Sequence, residues 1–291
     1  MLIMTYLEQS TDHMGYQILL GLEKKKPNFL SSLMWTEGPW KDCPKSVSDR
    51  LVDCLAMGPT IHQQVERFRT LRSKPLLHLA LKLVDDCWAI DKALQEIYGD
   101  LEGETTGSLY WPTLSEYPNA TDDPAVGKVF PVAFQFPDWA TARTLMMYWS
   151  LAVMLWSGLC SFYSLIPTIE LDPVDAFCSD YPDCVDPNSC ICRHLAPTES
   201  GSLQYDPTRL PPLGHRADYL TPARNVCQSV EYCVKTALPI FGGLSITAPL
   251  VIVFETMRHD PRFASETAWI AGTLKTIQDR GLRILNYSIK K

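Results

Sequence analysis

An all-α protein is the fold class this sequence predicts, and three observations carry it. Leu76, Ala80, Leu83, Cys87, Ile90, Leu94 and Ile97 recur in steps of four and three, the spacing of one helix face. No Asp, Glu, Lys or Arg interrupts the chain between Arg143 and Glu170, as in a helix apolar all round and buried at the centre of a protein. Alternation of apolar and polar residues, the mark of a half-buried strand, is scarce. The stretch FPVAFQF at 130–136 is tempting, and its prolines, Pro131 within it and Pro137 just after, argue against a strand there.

In chain order, Ser48 suits an N-cap for DRLVDCLAM, with Leu51, Cys54 and Leu55 on one face. Pro75 suits the start of the long striped helix. Gly99 stands where its C-terminal cap would fall. Thr144 to Ile166 is the uncharged helix. Val226, Val230, Cys233 and Ala237 make a shorter stripe, and Trp269, Leu274, Ile277 and Leu282 fit a last helix interrupted at Gly281. Residues 100–129, rich in Gly, Pro, Ser, Thr and acids, read as a linker. Residues 171–225 read as a long irregular Cys- and Pro-rich loop, because their prolines, Pro222 included, are too dense for a helix. One domain over 1–291, holding that loop as an excursion, is the expected organisation.

The uncharged run is long enough to cross a hydrocarbon layer about 30 Å thick. Its content argues for a core helix instead. Ser150, Ser157, Ser161 and Ser164 punctuate it, and Arg143 on one side faces only acids, Glu170 and Asp172, on the other. The basic asymmetry that orients a span is missing. A second apolar run, 237–254, is broken by Pro239, Gly242, Gly243 and Pro249.

Charge narrows the function classes. The chain has 291 residues, 20% of them charged, and a formal charge of −7. That is a globular balance and the wrong sign for gripping phosphate backbones unaided. The basic groups Lys24-Lys25-Lys26 and Arg67/Arg69/Arg72/Lys74 read as solvated faces. The first fourteen residues lack a basic start and meet Glu8 early, so no secretory signal is expected. The ten cysteines are then reduced thiols, many buried as small hydrophobes. The Asn-x-Ser/Thr triplets at Asn119 and Asn286 read as chance matches.

Three constellations could carry chemistry. Cys178, Cys184, Cys190, Cys192 and His194 offer zinc-ligand types, yet no CxxC occurs and a surface loop is the expected role. Asp85, Asp86 and Asp91 in DDCWAID resemble the aspartate-rich magnesium sites of terpene cyclases. On a helix Asp86 and Asp91 lie about 140° apart, so a solvated face is expected rather than a metal site. Glu231 could be a pocket carboxylate, but Lys235 at i+4 makes an ordinary surface pair. No GxSxG, HExxH, P-loop or GxGxxG appears, and His13, His62, His78, His215 and His259 stand apart from any nucleophile motif. Neither a catalytic residue nor a metal or cofactor is expected.

Four passages in order resemble a known family. They are FLSSLMWTEGPWKDCPKSVSDRLVDCLAMGP (29–59), AIDKALQEIYGDLEGETTGSLYWP (89–112), FPVAFQFPDWATARTLMMYWSLAVMLW (130–156) and ARNVCQSVEYCVKTALPIFGG (223–243). Together they resemble the fungal-specific regulatory domain of binuclear zinc-cluster transcription factors. The resemblance implies an all-α regulatory domain whose Tyr148-Trp149 helix is core. It also implies a nuclear setting, and contacts with proteins of the transcription machinery or with a small-molecule effector. The family's six-cysteine DNA-binding cluster has no counterpart here, so direct nucleic-acid binding is not expected. The alternative is a domain of this fold repurposed as a biosynthetic enzyme. Its apolar pocket would sit against Tyr148, Trp149 and Trp156, with Glu231 or Glu255 as acid/base. Tyr148, Trp149, Trp156 and Glu231 are accordingly the candidate ligand-binding residues. A large enclosed pocket holding a buried, unpaired carboxylate would favour the enzyme.

Overall fold

One helix passes through the middle of the protein. A computed structural model describes residues 29–176, 190–236 and 239–279, with four positions between 21 and 27. Ala237, Cys178, Cys184, Gly281, Leu282 and Asn286, all weighed above, lie outside the described residues. Among the described residues, seven longer helices and two small antiparallel sheets make up the fold, as the all-α reading expects. The helices are α1 (Val47–Ala56), α2 (Gly58–Glu66), α3 (Ser73–Glu104), α4 (Trp139–Leu165), α5 (Leu220–Thr236), α6 (Pro239–Met257) and α7 (Ala264–Asp279).

The central helix is α4. Asp138 caps it, accepting a hydrogen bond from the Thr141 amide at 2.8 Å. Most of the helix is buried, with α3, α5 and α6 packed against it, and a strip through Met147, Met154, Ser157, Ser161 and Ser164 keeps some exposure. The segment Trp139–Thr168 is long and apolar enough to cross a membrane, and 67% of its most apolar stretch is buried against the rest of the chain. Protein side chains therefore cover most of that stretch.

The stripe on α3 behaves as the periodicity predicts: Ala80, Leu83, Cys87, Leu94 and Ile97 are all buried. The end of that helix does not. It runs through Gly99 and Gly103 to Glu104, because a glycine without a left-handed backbone costs helix stability but does not stop propagation. The stretch read as a linker from residue 100 thus begins as helix. The cap of α1 also shifts. Ser46, not Ser48, holds the N-terminus, in a capping box with Asp49. Ser48 lies inside the helix and reaches Thr144 on α4, hydroxyl to hydroxyl, at 3.1 Å.

The demoted strand exists. Val132–Gln135 (β2) pairs antiparallel with Trp111–Leu114 (β1), Trp111 opposite Gln135 and Leu114 opposite Val132. Pro131 and Pro137 bracket β2 rather than interrupt it, so no ladder donor is lost within it. A second hairpin, Leu195–Pro197 (β3) with Leu203–Tyr205 (β4), gives order to the region read as one irregular loop. That region also ends sooner than expected. Pro222 sits in the first turn of α5, where its missing N–H has no helical partner to lose. Asp218 supports the same turn, accepting from the Leu220 and Thr221 amides at 3.2 and 3.1 Å.

In α5 the stripe of Val226, Val230 and Cys233 is fully buried. Pro239 opens α6, and the helix continues through Pro249. On α7, Trp269, Leu274 and Ile277 face the core as expected.

Candidate functional site

Aromatic residues distant in sequence converge on Trp149 of α4. Tyr110, just before β1, meets its ring edge-on at 5.2 Å. Phe134 and Phe136 stand 6.0 and 6.3 Å from it, and Phe136 in turn packs on Tyr232 of α5 at 5.1 Å. Edge-to-face and tilted rings at these separations attract beyond the burial of their area.

Tyr148, Trp149, Trp156 and Glu231 do not line one pocket. Trp149 and Trp156 are both sheltered, 4% and 8% exposed, as their seven-residue spacing predicts. They serve different neighbourhoods. Tyr148 packs on Tyr98 of α3 at 5.0 Å, and burial, followed by the nearby Tyr98 and Asp91, pushes its hydroxyl up to about 12. Trp156 turns its indole N–H to Asp91, 2.8 Å away, and meets the His215 ring at 5.2 Å.

Asp91 corrects the sequence reading. It is not on a solvated face: only 1% of it is exposed. Its Oδ1 accepts from Trp156, and its Oδ2 accepts from Nε and Nη2 of Arg216 at 2.7 and 2.6 Å. Arg216 lies over the Trp88 ring at 4.6 Å. Trp88 donates to the Tyr163 hydroxyl at 3.1 Å, and that hydroxyl donates to the Pro211 carbonyl. The burial of Asp91 is thus compensated by a cation and an N–H donor, as a charge in a low-dielectric interior requires. Asp85 and Asp86 lie apart from it on the outside of α3, and Lys82 pairs with Asp86.

Glu231 corrects the reading a second time. Its ion pair with Lys235 is present at 2.7 Å, but the carboxylate is 4% exposed rather than on the surface. Oε2 accepts from the Ser115 hydroxyl at 2.8 Å and from the Glu116 and Tyr117 amides at 2.9 and 3.0 Å. Burial works to raise its pKa, but Lys235, Ser115 and the two amides outweigh it and hold the carboxyl below the usual range. This carboxylate is a fastener between α5 and the segment after β1. Asn119 fastens the same segment to α7, its amide donating to the Trp269 carbonyl and to Thr273 at 3.1 and 3.0 Å. Glu255 is partly exposed and pairs with Arg258 at 2.9 Å.

In the cysteine segment the Cys190 and Cys192 sulfurs are 2.9 Å apart, and the His194 ring lies 6.0 Å from Tyr205. Among the described residues no group of three or more His, Cys, Asp or Glu side chains converges on a metal position.

The residues not foreseen from the sequence line a cavity of about 140 Å³. Cys54 of α1, Ile61, His62 and Val65 of α2, Cys87 and Ile90 of α3, and Leu151, Met154, Leu155, Gly158 and Phe162 of α4 surround it. Burial, followed by the Asp53 charge, pushes the Cys54 thiol up to about 11, and burial with Asp86 pushes Cys87 up to about 12. Both thiols stay protonated and apolar at neutral pH. The periodic stripe marks Cys87 and Ile90 as core. It carries no signal that the core is incompletely filled beside them.

Comparison with known proteins returns nothing similar: no family model, no curated protein and no solved structure matches this chain.

Proposed function

We propose that this chain is the regulatory domain of a fungal zinc-cluster transcription regulator. It would work in the nucleus, through contacts with proteins of the transcription machinery or with a small-molecule effector, without reading DNA itself. One observation carries the reading. The aromatic residues of three separate passages that resemble that family, Tyr110, Trp149 and Tyr232, belong to one packed cluster joined through Phe136. Residues spaced this way in sequence are explained together by a shared core around α4.

The disposition of the carboxylates supports a regulatory rather than a catalytic role. General acid–base work calls for a carboxyl poised within reach of substrate with a pKa moved toward neutrality. Asp91 and Glu231, the buried ones, are engaged by Arg216 and Lys235 and by further donors. Glu231 is moved the other way, below the usual range. The cavity holds neither of them.

A reporter assay tests the proposal. The chain is joined to an unrelated DNA-binding module in a fungal host, and output is compared with the module alone. A several-fold change in output, in either direction, is expected. Output equal to the module alone would overturn the regulatory reading. So would turnover of a small apolar substrate by the purified chain.

A further inference from the structure

We propose that the cavity between α1, α2, α3 and α4 is a binding site for a small, uncharged, apolar molecule of about the size of a single aromatic ring. The inference does not rest on the regulatory reading, since the site binds or fails to bind whatever the chain controls.

Size and lining set the ligand class. Protein interiors pack about as densely as organic crystals, and voids larger than a water molecule are few. This one measures about 140 Å³ and is partly open to solvent. An apolar cavity of about 150 Å³ stays dry and takes up benzene or xenon. Its wall is aliphatic, aromatic and thiol, with His62 as its one imidazole. The protonated Cys54 and Cys87 thiols add polarisable surface and no charge. No Asp, Glu, Lys or Arg lines the site, so an ion entering it would lose its hydration without gaining a counter-charge. Ile61, Val65, Ile90 and Met154 keep part of their surface in solvent, which leaves a route in.

Gly158 is the second, independent observation. It lies well inside α4, where glycine weakens a helix relative to alanine. Close packing does not demand it. A methyl group built there would meet no neighbouring atom within 4 Å. Its φ is not in the left-handed region either, since the positive-φ glycines are elsewhere. Gly158 is one of the residues that line the cavity, and a methyl group there would have open space before it.

The test uses the full chain with ¹³C-labelled methionine methyls, the Met154 signal being assigned by Met154→Leu. Benzene is titrated as the neutral probe and benzoate as its charged counterpart. Benzene should shift the Met154 methyl saturably and raise the Tm, and benzoate should do neither. Gly158→Leu should weaken benzene binding about tenfold or more. If that variant fails to fold, Val65→Phe fills the opposite wall and reads the same quantity. Absence of a saturable Met154 shift in the unsubstituted chain overturns the proposal, and that result does not bear on the reporter assay. Equal binding of benzoate, or benzene binding that survives filling of the cavity, overturns it as well.

Discussion

Arg216 closes on Asp91 with Nε and Nη2 both within 2.7 Å of the same carboxylate oxygen. The two residues are 125 positions apart, and the pair ties the segment before α5 to the middle of α3. The other oxygen of Asp91 is taken by Trp156 of α4. A single buried carboxylate therefore holds three parts of the chain together.

Removing one partner should cost far more than removing both. Arg216→Met leaves a carboxylate that is 1% exposed without its cation, which should destabilise the protein by about 3–5 kcal/mol. The double replacement Asp91→Leu with Arg216→Met should lose much less than the sum of the single changes. Urea unfolding of the four proteins gives the coupling directly. Additive losses would show that the pair is not the fastener described.

Glu231 contributes to the response to acid. Its folded-state pKa is depressed, so its stabilisation is present above the ordinary glutamate value and is lost as pH falls through the folded one. Unfolding midpoints should accordingly drop as pH is lowered from the ordinary glutamate value, about 4.3. Glu231→Gln should be less stable than the parent by about 1–3 kcal/mol near neutrality. The gap should narrow as pH falls below that reference. A gap that is constant with pH would contradict the assignment.

Gly99 offers a gain. It lies within α3, a methyl group there meets nothing within 4 Å, and its backbone is helical. Gly99→Ala should stabilise the chain by about 0.5–1 kcal/mol, chiefly by lowering the entropy of the unfolded chain. Thermal unfolding measures it, and a lower Tm would mean that the helix does not continue through this position.

Cys190 and Cys192 are expected to hold no structural metal. Replacing both with Ser should change stability by no more than about 1 kcal/mol. Loss of a structural zinc would remove on the order of 10 kcal/mol. Elemental analysis of the purified chain decides the point, and stoichiometric zinc that disappears in the double variant would reverse it.

Specific DNA binding is not expected of this chain alone. Acids outnumber bases by 33 to 26, and groove readout needs several phosphate contacts from Lys and Arg. Titration against promoter fragments at about 150 mM salt should show weak, sequence-independent association. Nanomolar, sequence-dependent binding would contradict both this expectation and the proposed function.

By itself the sequence determined the helical class, the stripe of α3, the uncharged α4 and the sheltered Trp149 and Trp156. These are matters of local period and of how apolar a segment is, which the chain carries without reference to any partner. The strand at 132–135 escaped because pairing depends on what lies opposite, here Trp111 to Leu114, more than on the prolines that flank it. The passage of α3 through Gly99 escaped because packing against α1 and α4 outweighs the local preference of one residue. Only the tertiary structure decided the fate of the charges. Asp91 and Glu231 looked solvated by spacing, and became fasteners because Arg216 and the 115–117 segment arrive from elsewhere in the chain to satisfy them. The cavity belongs to the same class. A void is a property of how four helices fail to fill the space between them, and nothing along any one of them records it.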